Sequence, residues 1–128
     1  MSKIVLDASA LLAILNREDG SERLTPELLA EATSSTVNLA EVQTTLVRRG
    51  AAPDEAWEDA LSPICEPAPF TADQARIAGD LVSQTRAWGL SLGDRACLAL
   101  GLALQVPVYT ADKLWKNLRI GVKIHVIR

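Results

Sequence analysis

Between Ser91 and Asp112 the chain passes from an apolar helix into a strand with few connecting residues, and this stretch constrains the fold more than any other. Ser91 followed three residues later by Asp94 has the spacing of a helix start, in which cap and first-turn side chains each accept the other's backbone N–H. The pattern stays apolar through Leu104, turns at Pro107, becomes the short strand Val108-Tyr109 and closes on Thr110-Ala111-Asp112. Such a helix-to-strand succession belongs to a parallel α/β sheet, where right-handed crossovers bring helix N-termini and strand C-termini to one edge. Asp94 and Asp112 are therefore expected to meet. Two carboxylates brought together raise each other's pKa and destabilise the fold unless a cation or a shared proton lies between them.

The rest of the chain repeats this unit. Lys3 to Leu6 is apolar without alternation, as in a central parallel strand covered on both faces, and Asp7 ends it. Ala8 to Asn16 carries Leu11, Leu12, Ile14 and Leu15 at helical spacing before Arg17-Glu18-Asp19-Gly20 interrupts. Thr25-Pro26-Glu27 opens a helix with Leu28 and Leu29, and Thr33 to Val37 reads as a strand. Asn38 then has the spacing of a cap with Glu41 as its reciprocal partner, opening a helix that stops at Arg48-Arg49-Gly50. Pro53 to Leu61 is a short helix with Trp57 inward, and Ile64-Cys65-Glu66 is a third strand ahead of Pro67. Thr71 caps a longer helix with Ile77, Leu81 and Val82 on one stripe, ending near Gly89. Leu114, Trp115 and Leu118 give one more helical turn, and Val122 to Ile127 a last strand. This order predicts a single domain over residues 1–128, a three-layer α/β/α fold with a central parallel sheet.

Charge narrows the function classes. With 13 Lys and Arg against 16 Asp and Glu, the net charge of −3 excludes a large basic field for nucleic acid and leaves room only for a local patch. No apolar run approaches the ~18 residues of a membrane span, and the first strand reaches Asp7 too early for a signal peptide, so a cytoplasmic protein is expected. Cys65 and Cys97 lack paired spacing and companion histidines, and both read as small core residues. His125, the one histidine, falls in the last strand and is expected to face outward, which leaves a Ser-His-Asp triad unsupported.

Asp7, Glu41, Asp94 and Asp112 all fall at the same sheet edge under this fold. A set of carboxylates is what Mg²⁺ or Mn²⁺ takes, and such an ion acts on phosphodiesters by activating water and neutralising charge on the phosphoryl oxygens. Each acid has a local reading as well: Glu41 and Asp94 complete capping boxes, Asp7 caps the first helix, and Asp112 is a turn residue. Four independent caps have no reason to line one crevice. Ser9 and Thr110 flank two of the acids, where their hydroxyls either orient a carboxylate or cap local backbone. Arg95 is a phosphate contact or a solvated helix residue, and Trp57, Trp88 and Trp115 read as core or rim packing.

These residues carry a resemblance. Ile4-Val5-Leu6-Asp7-Ala8-Ser9-Ala10, Val37-Asn38-Leu39-Ala40-Glu41-Val42, Leu90-Ser91-Leu92-Gly93-Asp94 and Tyr109-Thr110-Ala111-Asp112 stand in the order and spacing of PIN-domain ribonucleases. Within that family the chain is similar to VapC-type toxins of bacterial toxin–antitoxin pairs, over nearly its whole length. The resemblance implies a parallel sheet flanked by helices, with Asp7, Glu41, Asp94 and Asp112 holding Mg²⁺ or Mn²⁺. It also implies endonucleolytic cleavage of RNA, often tRNA or rRNA, a VapB-type antitoxin whose tail covers the site, and a homodimer. Where the family commonly has phenylalanine after the last acid, this chain has Trp115. Two other classes compete. A phosphoryl-transfer domain of phosphatase or receiver type also gathers aspartates around Mg²⁺, but Ala8-Ser9 supplies no second aspartate after Asp7. A non-catalytic module would use the Leu11 to Leu15 face to recruit a protein.

Overall fold

Ile4, Val5 and Leu6 are buried to the last residue, and they form β1 (Ile4–Leu6) at the middle of the sheet. Ile4 and Leu6 enter one core while Val5 enters the other, so the unbroken apolar run is explained by a strand covered on both faces. The computed structural model describes residues 2–128. On the first face lie α1 (Ala8–Leu15), α2 (Pro26–Leu29), α3 (Thr36–Arg48) and α4 (Pro53–Leu61), packed through Leu11, Leu28, Leu39, Val42, Trp57 and Ala60. On the second lie α5 (Ala72–Asp80), α6 (Val82–Thr85) and α7 (Leu92–Leu104), with Leu81, Cys97, Leu98, Leu100 and Trp115 in the core. The expected three layers are present.

The sheet is completed by β2 (Ala32–Ser35), β3 (Glu66–Ala68), β4 (Val108–Thr110) and β5 (Ile124–Val126), in the order β3-β2-β1-β4-β5 with every pairing parallel. The chain therefore builds outward from β1 to β3 on one side, then crosses back and builds β4 and β5 on the other. Such a reversal leaves a crevice beyond the carboxyl ends of the two strands between which the direction changes. Here those strands are β1 and β4. Among the described residues, no helix is long and apolar enough to cross a membrane.

Several local expectations need correction. The strand expected over Thr33 to Val37 ends at Ser35, whose side chain caps α3 by accepting from the Val37 N–H, so Asn38 is not a cap but a buried residue inside the first turn. Thr36 and Val37 are β-branched and read as strand, but the cap at Ser35 overrides that propensity. The third strand, expected at Ile64-Cys65-Glu66, is shifted two residues along to Glu66–Ala68 and includes Pro67, which an edge strand tolerates. Cys65 is exposed rather than a core residue: its backbone N–H reaches the Ala32 carbonyl at 2.9 Å where the ladder begins, and the side chain stands at the sheet edge. The helix expected to run from Thr71 to Gly89 breaks at Leu81 and gives way to a 3₁₀ turn at Arg86–Trp88; Leu81 is buried, whereas Val82 is 40% exposed. His125 stacks on Tyr109 of the neighbouring strand, ring centres 4.6 Å apart, instead of standing free.

Candidate active site

Asp7 follows β1 directly and is only 4% exposed. Its carboxylate accepts from the Ala10 N–H at 2.8 Å, which caps α1, and from the hydroxyls of Ser9 at 2.8 Å and Thr110 at 2.6 Å. These hydroxyls are more than local caps. Ser9 Oγ accepts from the Ala111 N–H and Thr110 Oγ1 from the Asp112 N–H, so both bridge the crevice between β1 and β4. Burial pushes the Asp7 pKa up to about 6, against the lowering effect of its hydrogen bonds, and the nearby Asp94 charge pushes it the same way.

Asp94 sits in the first turn of α7, in a true capping box: Asp94 N–H donates to Ser91 Oγ and Ser91 N–H donates to Asp94 Oδ2. Glu41 comes from α3, where Asn38 Nδ2 donates to its Oε1 at 2.8 Å. The same Nδ2 donates to the Gly93 carbonyl at 3.0 Å, which joins α3 to the start of α7 and brings Glu41 beside Asp94. Asp112 caps the 3₁₀ turn Lys113–Asn117 through Oδ1 and the Leu114 N–H. The capping readings hold for Asp7, Asp94 and Asp112 but not for Glu41, because α3 is capped by Ser35 and Glu41 instead accepts from the Asn38 side chain. Beneath them lies Cys97, buried, its thiol pKa pushed up first by burial and then by the charges of Asp7, Asp94 and Glu41. Three carboxylates from three elements thus act on one point.

A family model described as the PIN domain matches residues 4–120. The chain belongs to the PIN domain family. No curated relative matches its sequence. Among solved structures, the PIN domain of this chain is similar to VapBC of Salmonella typhimurium bound to DNA, with a TM-score of 0.76, 16% identity and all of both chains covered. It is similar to VapBC2 of Rickettsia felis bound to a promoter DNA fragment, with a TM-score of 0.75, 20% identity and 98% of each chain covered. VapC20 of Mycobacterium tuberculosis, described as a toxin that cleaves the sarcin–ricin loop, matches with a TM-score of 0.72 and 21% identity over 94% of this chain and 98% of its own. At these identities the likeness is one of fold.

The donor set of this PIN domain is made of carboxylates alone, which selects hard cations such as Mg²⁺ or Mn²⁺ over zinc. Glu41, Asp94 and Asp112 each give one oxygen to a nearby N–H, and no described residue donates to the other oxygen of any of them. That chemistry fits a hydrated cation. The spacing is open: among the described residues no three carboxylate, imidazole or thiol groups stand close enough to hold one ion by themselves. Arg95 donates Nη1 to the Ala78 carbonyl at 2.8 Å, tying α7 to α5, so this nitrogen is engaged within the protein rather than offered to a phosphate. Two residues of the crevice were not legible as such. Asn38 has the same three-residue spacing to Glu41 as a cap, and the signal that separates the two is the preceding Ser35, itself a good cap. Gly93 precedes an acid without any local pattern to mark it.

Proposed function

We propose that this PIN domain is a Mg²⁺- or Mn²⁺-dependent endoribonuclease, the toxin half of a VapC-type toxin–antitoxin pair. In this reading Asp7, Glu41, Asp94 and Asp112 form the catalytic and metal-holding set, the substrate is tRNA or rRNA, a VapB-type antitoxin restrains the enzyme, and two copies form a homodimer. The observation that carries it is the hydrogen-bonded frame at the crevice: Ser9 and Thr110 hold Asp7 between β1 and β4, and Asn38 ties Glu41 to the start of α7, where Asp94 stands. The solved neighbours, several of them toxin–antitoxin complexes, support the partner.

A bound ion would supply positive charge for the phosphoryl oxygens and acidify a water. The chain's own residues prepare the site. Ser9 and Thr110 fix the Asp7 carboxylate by donating to it, Asn38 fixes Glu41, and the capping box fixes Asp94 at the positive end of α7. A substrate phosphate placed among acids is repelled by them, so binding of RNA and of cation should be coupled. Asp7 is a poor phosphoacceptor because its carboxylate is buried and holds three donors, which argues against the phosphatase or receiver reading.

The test is cleavage of total RNA from the source cell by protein freed of any copurifying partner, with Mg²⁺ or Mn²⁺, with EDTA, and with Asp94→Asn. The variant keeps an oxygen for the Ser91 N–H, so its melting temperature should match the wild type while cleavage falls by at least a hundredfold, about 3 kcal/mol of lost transition-state stabilisation. A discrete cut that survives in EDTA or in Asp94→Asn would refute the proposal.

A further inference from the structure

The Glu41 carboxylate does not lie free in the crevice. It rests on the first turn of α7 so closely that a methyl group built on Gly93 would overlap both of its oxygens and its carboxyl carbon. These are the three nearest atoms to that methyl, so it is the Glu41 carboxylate that a side chain at this position would meet first. From the other side Asn38, 1% exposed, donates one amide hydrogen to Glu41 Oε1 and the other to the Gly93 carbonyl. The amide cannot be turned over, because its oxygen would then face a carboxylate and a carbonyl, two acceptors. Asn38 Oδ1 is buried and has no partner among the described residues. The side chain is therefore held by its two donated hydrogen bonds, with its acceptor left unused.

From this geometry we infer that Asn38 and Gly93 form a seat for Glu41 and are positioning residues of the acidic site: Asn38 fixes the carboxylate by donation, and the missing side chain of Gly93 lets it lie against α7 beside Asp94. The inference rests on the metal-dependent reading above and adds two residues, neither of them an acid, that decide where one of the acids stands. Residues that orient a metal ligand commonly change metal affinity by about 10- to 100-fold when replaced.

Gly93→Ala separates this role from a structural one. The nearest atoms the added methyl meets belong to the end of a flexible side chain, and alanine is a better helix former than glycine, so helix propensity is not lowered. The expected result is a melting temperature in EDTA equal to or above the wild type, together with Mn²⁺ binding weakened about tenfold, read by the electron paramagnetic resonance of free Mn²⁺. Asn38→Leu, similar in size but without the donor, should weaken Mn²⁺ binding by a like factor. Val42→Ala on the same helix, buried in the core and outside the crevice, should lower the melting temperature and leave the Mn²⁺ dissociation constant within twofold. Wild-type Mn²⁺ affinity in Gly93→Ala and Asn38→Leu would overturn the seat while leaving the nuclease reading intact. An equal loss in Val42→Ala would overturn it too, by showing that any loosening of α3 suffices. A wild-type chain that binds no Mn²⁺ would overturn the metal-dependent reading and this inference with it.

Discussion

A carboxyl group held at a pKa of about 6, against an ordinary value of 3.8, opposes the metal-free fold at neutral pH. The folded state binds the Asp7 proton more tightly than the unfolded chain does. Its contribution to stability is therefore full below pH 3.8 and is lost as pH rises through about 6. A shift of about two units corresponds to roughly 3 kcal/mol. In EDTA, the stability of Asp7→Asn relative to wild type should accordingly rise by about that amount between pH 4 and pH 7.5, measured by urea unfolding at each pH. Addition of Mg²⁺ should then stabilise the wild type and leave the variant unchanged, since only the former keeps the charge. At this scale Asp7, Asp94 and Asp112 were legible as candidates because each stands at a strand end or helix start, where type and spacing speak locally, whereas Glu41 lies in the second turn of α3, beyond the start that its spacing to Asn38 suggested. Asn38 was legible only as a cap, because the carbonyl that defines its role belongs to Gly93, 55 residues away.

Among the elements, α7 approaches β4 at Gly101, where a methyl group would strike Val108 Cγ2. Unlike Gly93, whose neighbour is a flexible end, Gly101 faces a β-branched side chain fixed within a strand. Gly101→Ala should therefore destabilise by about 1–3 kcal/mol in spite of alanine's better helix propensity, as read from the denaturant midpoint. The start of α7 was readable because Ser91 and Asp94 complete their box within one turn, as were Thr25 with Pro26 and Thr71 with Gln74. The start of α3 was not, since Asn38 has the cap's spacing to Glu41 while the side chain that accepts from the first turn is that of Ser35, placed inside the expected strand. The same limit hid the break at Leu81: the Thr85 hydroxyl donates back to the Leu81 carbonyl at 2.8 Å, a contact that no apolar stripe announces. Cys65 was misplaced because an apolar neighbourhood in sequence does not distinguish the middle of a sheet from its edge.

Over the whole molecule, the three-layer fold was readable from the alternation of strands and helices, while the order β3-β2-β1-β4-β5 came only from the structure. That order binds the two ends of the chain together. Ile127 is 1% exposed in the core that holds α1, and Arg128 reaches Glu18 at 2.7 Å. A chain ending at Gln105 lacks β4 and β5 and leaves one flank of β1 bare, so it should show no cooperative thermal transition by circular dichroism. Translation meets the same arrangement in time. The strand at the centre of the sheet is made well before its partner β4, and the Thr110 hydroxyl that fixes Asp7 comes 103 residues after the acid it holds. A prematurely ended product would carry Asp7, Glu41 and Asp94 with no crevice to gather them. The acidic site can therefore assemble only once β4 has been made.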